Sequence, residues 1–210
     1  MRTRLHFATA LAGVLAVALA CSACSNNANK NTNAQNNSDM SNAAIENIMT
    51  RTSIRAYTDQ AVEPEKIETM LKAAMAAPTA MNKQPWHFVV VSNREKLDSL
   101  AEGGPRKGLT ANAPLAIVVC GDKEDFFDGP EFWVEDCSAA TENLLLAAHA
   151  LGLGAVWTGA YPGVDRSVPI AQKLGLSDNL IPMAMVVIGY PAENPAPKDK
   201  WNPENVTYVK

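Results

Sequence analysis

Short, dense apolar runs separated by polar stretches divide this chain into its elements. LAIVVC at 115–120 and MAMVVIG at 183–189 are apolar without alternation. A strand with one wet face alternates, so unbroken runs of this length predict strands covered on both faces. HFVVV at 87–91 and AVWTG at 155–159 read as two further strands. Helical spacing lies between them. Ile67, Met70, Leu71, Ala74 and Met75 recur at intervals of one turn after Pro64, which suits a first-turn position, and Pro78 closes the segment. Arg94 to Ala101 predicts a short helix, and Gly103-Gly104-Pro105 a loop. DCSAATENLLLAAHALGLG, from Asp136, predicts the strongest helix, apolar on most faces and so buried on most sides. In a domain this small, such burial points to a second subunit over one face. Ser41 or Asn42 caps a helix expected to run to about Thr50, with Ile45, Ile48 and Met49 on its inner face. Another is expected near Ile170 to Leu174. RTSIRAYTD, from Arg51, reads as extended, as does the proline-rich tail ending in VTYV. The order of elements predicts an α+β fold with a central sheet between helices.

The N-terminus changes the picture of where this domain sits. Arg2 and Arg4 precede an apolar run from Leu5 to Ala20, followed by CSACSNN. A basic start, a short apolar core and small residues before a cleavage point describe an export signal over residues 1–23. The run is short for a spanning helix. Cys21 or Cys24 at its end resembles the lipidated first residue of a bacterial lipoprotein; the alternative is an ordinary cleaved signal. The C-x-x-C spacing of these two residues therefore carries no redox reading. Residues 24–42 are rich in Asn and Ser, cannot bury enough surface to offset their ordering, and read as a flexible tether. The folded domain is expected over 43–210. The formal charge of −4 in 210 residues, with no basic run beyond the N-terminus, argues against nucleic acid.

Candidate chemistry is polar and organic rather than metallic. His87 and His149 lie far apart without a cysteine or carboxylate cluster, and no Walker, G-x-S-x-G, H-E-x-x-H or G-x-G-x-x-G pattern occurs. Cys120 reads as a buried free thiol, and nothing pairs it with Cys137. In an extended RTSIR, Arg51, Ser53 and Arg55 share one side. Two guanidinium forks and a hydroxyl aimed together match a phosphate; they match equally a solvated basic edge paired with carboxylates. Lys198 and Lys200 on the tail pose the same question. Asn82 and Gln84, in PTAMNKQPW, suit the edge of a heterocycle or, alternatively, plain turn chemistry. Phe126, Phe127, Phe132 and Trp133 fall in FFDGPEFWVED, where they either cover a flat substrate or pack under a loop.

RTSIRAYTDQAVEPEKIETMLKAAMAAPTAMNKQPWHFVVV resembles the opening of the FMN-dependent nitroreductase family, and the match continues through DCSAATENLLLAAHALGLGAVWTGAYP to VVIGYPAE. The resemblance implies a nitroreductase-like mixed or antiparallel sheet in an intertwined homodimer with exchanged C-terminal arms. It implies FMN at the subunit interface. Arg51, Thr52, Ser53 and Arg55 would hold its phosphate and ribityl chain. Pro78, Thr79, Ala80, Asn82 and Gln84 would reach it largely from the partner subunit, and Trp86 would pack rather than bind. The turn Trp157-Thr158-Gly159-Ala160 would bring the N–H groups of Gly159 and Ala160 to the flavin N5. Lys198 and Lys200 stand where family members carry an Arg for the phosphate, supplying charge without a bidentate fork.

The same resemblance implies ping-pong hydride transfer from NADH or NADPH to a small aromatic acceptor: a nitroaromatic, a quinone or a flavin. Export conflicts with that donor, because nicotinamides are scarce outside the cytoplasm. Three alternatives are a redox partner as donor, a dehalogenase- or oxidase-like relative, and a lipid-anchored flavin carrier without turnover.

Overall fold

The computed structural model describes residues 42–102, 112–127 and 132–210, and Ala44–Lys210 form a compact unit. The expected export signal, Cys21 and Cys24, nearly all of the 24–42 tether and the Gly103-Gly104-Pro105 loop lie outside the described residues. Four strands make one antiparallel sheet: β1 (Trp86–Val91), β2 (Leu115–Asp122), β3 (Gly154–Gly159) and β4 (Leu180–Gly189), in the order β1-β2-β4-β3. The helices are α1 (residues 42–50), α2 (Pro64–Met75), α3 (Arg94–Ala101), α4 (Phe132–Ala150) and α5 (Val164–Leu174).

The unbroken apolar runs become the two central strands. Leu115, Ile117 and Val119 of β2 face one way, with Ala184, Val186 and Ile188 of β4, into a core shared with α2 and α4. Ala116, Val118 and Cys120 face the other way, with Met185 and Val187, towards α3 and α5. Both faces are covered, so a polar residue has no favourable place along either run. Full burial of one such side chain is worth about 1.5–3 kcal/mol. Cys120 and Cys137 are buried free thiols, and burial pushes both up to about 12.

The helix boundaries have local causes. Pro64 stands in the first turn of α2, where its missing N–H costs nothing. Asn93 caps α3 by accepting the Lys96 N–H at 3.0 Å. Gly175, at φ 69°, ends α5 in the left-handed conformation. That helix begins six residues before the expected Ile170, and Pro169 lies inside it. The proline removes one internal bond, while burial of Ile170 and the Ser167 hydroxyl bond to the Pro182 carbonyl (3.0 Å) hold the helix to β4. Similarly, α4 begins at Phe132, four residues before the expected Asp136.

The inward face expected for α1 is outward in the structure. Ile45, Ile48 and Met49 of α1 are exposed. The contacts of α1 with α4 are polar instead: Asn47 Nδ2 donates to the Leu146 carbonyl (3.0 Å), and Thr50 Oγ1 lies 3.0 Å from His149 Nε2. Those two residues are one turn apart, so they turn the apolar stripe outward. Among the described residues, no helix is long and apolar enough to cross a membrane.

Candidate functional site

Helix α4 is the spine on which the candidate residues hang. Its buried Asp136 accepts the Ala80 N–H at 2.9 Å, and Asn143 donates to the Ala73 carbonyl at 3.0 Å. Seven residues apart, these two share one side of the helix and fix the segment from α2 into PTAMNKQPW. Glu142 meets Arg51 Nε at 3.4 Å, and His149, again seven residues on, meets Thr50. Six residues from Asp136 to Glu142 is about 9 Å along the axis and roughly 120° around it. The spine therefore holds the 78–84 loop and the RTSIR stretch on different sides. Asp136, Glu142 and Glu193 were not singled out from sequence. Their partners are distant in the chain, and the one available signal was an acidic residue in an otherwise apolar helix.

The 78–84 loop carries unusual backbone. Met81, Asn82 and Gln84 have φ of 50°, 57° and 53°. A side-chain-bearing residue in that region costs about 1–2 kcal/mol, so the three together offset the burial of roughly two core side chains. Local bonds over-determine the conformation. The Thr79 hydroxyl accepts the Gln84 N–H at 3.1 Å, the Thr79 carbonyl accepts the Asn82 N–H at 3.2 Å, and Gln84 Nε2 donates to Asn82 Oδ1 at 3.2 Å. Turn chemistry thus uses one end of each amide. Asn82 Nδ2 and Gln84 Oε1 have no partner among the described residues, and both side chains are exposed. Pro78 is exposed, Thr79 and Ala80 are half-buried, and Trp86 packs beside Phe88 with ring centres 6.4 Å apart. Strain clusters where a structure spends stability on function.

At the opposite edge of the sheet, RTSIR runs beside β3. Ser53 bridges Ala155 in parallel, the Ile54 N–H donates to the Ala155 carbonyl at 3.0 Å, and the Ile54 side chain is buried. Arg51, Thr52 and Ser53 are half-buried and Arg55, at the bend that follows, is exposed. Alternation from the buried Ile54 therefore turns Arg51 and Ser53 away from the core but does not by itself orient Arg55. Glu142 engages Nε of Arg51, which leaves its two terminal nitrogens for a second partner. Arg55 makes no ion pair among the described residues. The carboxylate-paired alternative therefore describes Arg51 in part and Arg55 not at all.

The end of β3 divides its two candidate donors. The Ala160 N–H donates to the Met183 carbonyl at 2.9 Å, so it is already engaged within the chain. In an antiparallel ladder, N–H groups point alternately towards and away from the partner strand. If Ala160 points at β4, Gly159 points off the free edge. The Ala155 carbonyl, four residues earlier in the same register, points outward to Ile54 and confirms this parity. A Cβ built on Gly159 meets nothing within 4 Å. Gly159 is thus a backbone donor facing open space, and Ala160 is not. The Thr158 hydroxyl donates to the Met185 carbonyl at 2.8 Å, and Trp157 packs partly into the core.

Of the two alternatives for Trp133, cover of a substrate or packing, the structure shows packing. Trp133 is 1% exposed, stacked on Phe126 at 5.2 Å and edge-on to Tyr161 at 4.8 Å. It lies so close to β2 that a Cβ on Gly121 would come within 2.3 Å of its ring. Phe132 is exposed and Phe127, half-buried, leans on it at 6.1 Å. Phe132 and Phe127 thus remain available to a ligand. Every residue of the tail from 191 to 210 is exposed, including Lys198, Lys200 and the apolar Trp201, Tyr208 and Val209.

The fold and these residues define an α+β protein whose exposed polar groups are divided between two sheet edges. Residues 48–190 match the nitroreductase family, and the chain belongs to that family. A relative in Methanothermobacter thermautotrophicus, provisionally named NADH dehydrogenase/NAD(P)H nitroreductase, is 47% identical over 166 residues, covering 79% of this chain and 86% of the relative. A crystal structure of the same provisional name from Bacteroides thetaiotaomicron is 45% identical with a TM-score of 0.75, covering 79% of this chain and 96% of that one. A nitroreductase-type structure from Desulfovibrio desulfuricans, solved in complex with FMN, is 31% identical with a TM-score of 0.72, covering 80% and 96%.

Proposed function

We propose that the protein is an FMN-dependent oxidoreductase that passes hydride from NADH or NADPH to a small flat acceptor such as a nitroaromatic, a quinone or a flavin. The observation that carries this reading is the divided polar set. Arg51, Ser53, Arg55 and the outward Gly159 N–H lie on one sheet edge, and the strained Asn82–Gln84 loop lies on the other. Its residues suit the cofactor bound in the Desulfovibrio neighbour. Bound FMN supplies the two-electron chemistry. Arg55 and the free nitrogens of Arg51 hold its phosphate, with the Ser53 hydroxyl beside them. The Gly159 N–H orients the ring, and the absence of a side chain there permits close approach. Asn82 Nδ2 and Gln84 Oε1 supply a donor and an acceptor for the heterocycle edge.

The width of the sheet supports a two-chain site. Three strand spacings separate β1 from β3, about 14 Å. Gly159 also faces away from the sheet, which favours a loop from a second copy over the chain's own. We therefore propose a homodimer in which each site takes one edge from each copy. The exposed apolar stripe of α1 and the exposed arm 191–210 are surfaces for that contact, and the arm brings Lys198 and Lys200 with it. Export and lipid attachment at Cys21 or Cys24 belong to the same proposal. They favour a second reading, in which a redox partner replaces the nicotinamide or the protein carries flavin without turnover. Mass spectrometry of the membrane-extracted protein tests the lipid. Visible spectra before and after anaerobic NADH or NADPH test the activity. A yellow protein that bleaches supports the oxidoreductase, a yellow protein that does not supports the second reading, and a colourless protein that ignores added FMN overturns both.

A further inference from the structure

We propose that Glu193 is a positioning residue for the flavin phosphate, acting through the backbone of Arg55; this rests on the reading that Arg51, Ser53 and Arg55 hold that phosphate. One carboxylate oxygen, Oε1, accepts both the Arg55 N–H and the Ala56 N–H, the latter at 3.1 Å. Successive N–H groups of a straight strand point to opposite sides, so a single oxygen reaches both only where the chain bends. The neighbouring bonds show that bend. Ser53 pairs with Ala155 on β3, whereas the Ala192 N–H donates to the Ala56 carbonyl and the Thr58 N–H to the Tyr190 carbonyl, each at 2.9 Å. The chain leaves one strand for another between Ser53 and Ala56, and Glu193 holds the corner from which Arg55 projects.

The charge of Glu193 argues for this role rather than for ligand contact. A carboxylate beside a phosphate site repels the ligand, so its presence is explained by what it fixes. The Tyr57–Pro191 bridge two residues on keeps Glu193 and Arg55 around one corner. Glu193 also stands at the root of the arm that carries Lys198 and Lys200 five and seven residues further on. One side chain thus sets both the aim of Arg55 and the start of the arm.

The role predicts different effects from two substitutions, measured on the full chain by titrating apoprotein with FMN and with riboflavin, which lacks the phosphate. Glu193→Ala loses the clamp and weakens FMN about tenfold while leaving riboflavin within about twofold. Glu193→Gln keeps an acceptor oxygen and removes the negative charge, so FMN binds as tightly as in the parent or more tightly. Equal losses for FMN and riboflavin in Glu193→Ala would show a general structural role and overturn the proposal. So would a Gln variant as weak as the Ala variant. A parent that binds FMN and riboflavin equally well would remove the phosphate reading itself, and the Glu193 role with it.

Discussion

The two edges of the sheet expose polar groups by different means. Along β3, the backbone of RTSIR is extended, its bonds are ordinary, and its means of binding is charge. Before β1, the 78–84 loop carries little charge but holds three residues in the left-handed region. Charge on an extended strand can be read from residue spacing. Strain cannot, because it depends on bonds such as that from the Ala80 N–H to Asp136. On the proposed reading these are two dissimilar half-sites, about 14 Å apart across the sheet, and the difference teaches that charge and strain are legible from sequence to different degrees.

The largest effect expected is from removing the arm. Truncation before Pro197 takes away both lysines and the exposed Trp201, Tyr208 and Val209, and should convert dimer to monomer in sedimentation with loss of bound FMN. An unchanged dimer would separate the arm from the comparison altogether. Next comes the charged edge. Arg51→Ala with Arg55→Ala should cost together about 2–4 kcal/mol of FMN binding, or roughly 30- to 1000-fold, after allowance for solvent at the exposed Arg55. Full retention of FMN in the double variant would show that the basic edge is merely solvated.

Two smaller effects sharpen the contrast. Gly159→Ala adds a methyl group to open space, so stability in urea should stay within about 0.5 kcal/mol while FMN weakens about tenfold. A stability loss without an affinity loss would mean that Gly159 serves the fold rather than the ligand. Met81→Gly should do the reverse, raising stability by up to about 1 kcal/mol because glycine accepts φ 50° without strain. Glycine's greater flexibility in the unfolded chain limits that gain, and a less stable variant would mean that the loop is relaxed as it stands.

These outcomes bear on how much of the molecule its sequence displays. The core strands were legible because LAIVVC and MAMVVIG have no polar positions, and burial on both faces of a sheet leaves no other pattern. Helix α3 was legible from its first residue to its last. The candidate residues were legible as residue types in recurring order, but their use was not. Arg51 shares its charge with Glu142, 91 positions away, and the Ala160 N–H is taken by Met183; neither fact is local. The stripe of α1 was correctly seen as apolar and wrongly turned inward, because hydrophobicity gives a face without saying which chain covers it. For Trp133 the sequence leaves substrate cover and packing under a loop as equal alternatives, and the structure has it packed. Gly121, twelve residues earlier, is what admits its ring to the core.

The central claim, that one site draws on both edges from two copies, has a direct test in a mixed dimer. One chain carries Arg51→Ala and Arg55→Ala, the other Asn82→Ala and Gln84→Ala, and the heterodimer is purified by two different tags. If each site takes its basic edge from one copy and its loop from the other, one site collects all the substitutions and its twin has none. The account predicts that the mixed dimer retains half the parent's FMN, while either variant homodimer retains little. A mixed dimer as empty of FMN as the two homodimers would contradict it, because both halves of the site would then belong to a single chain.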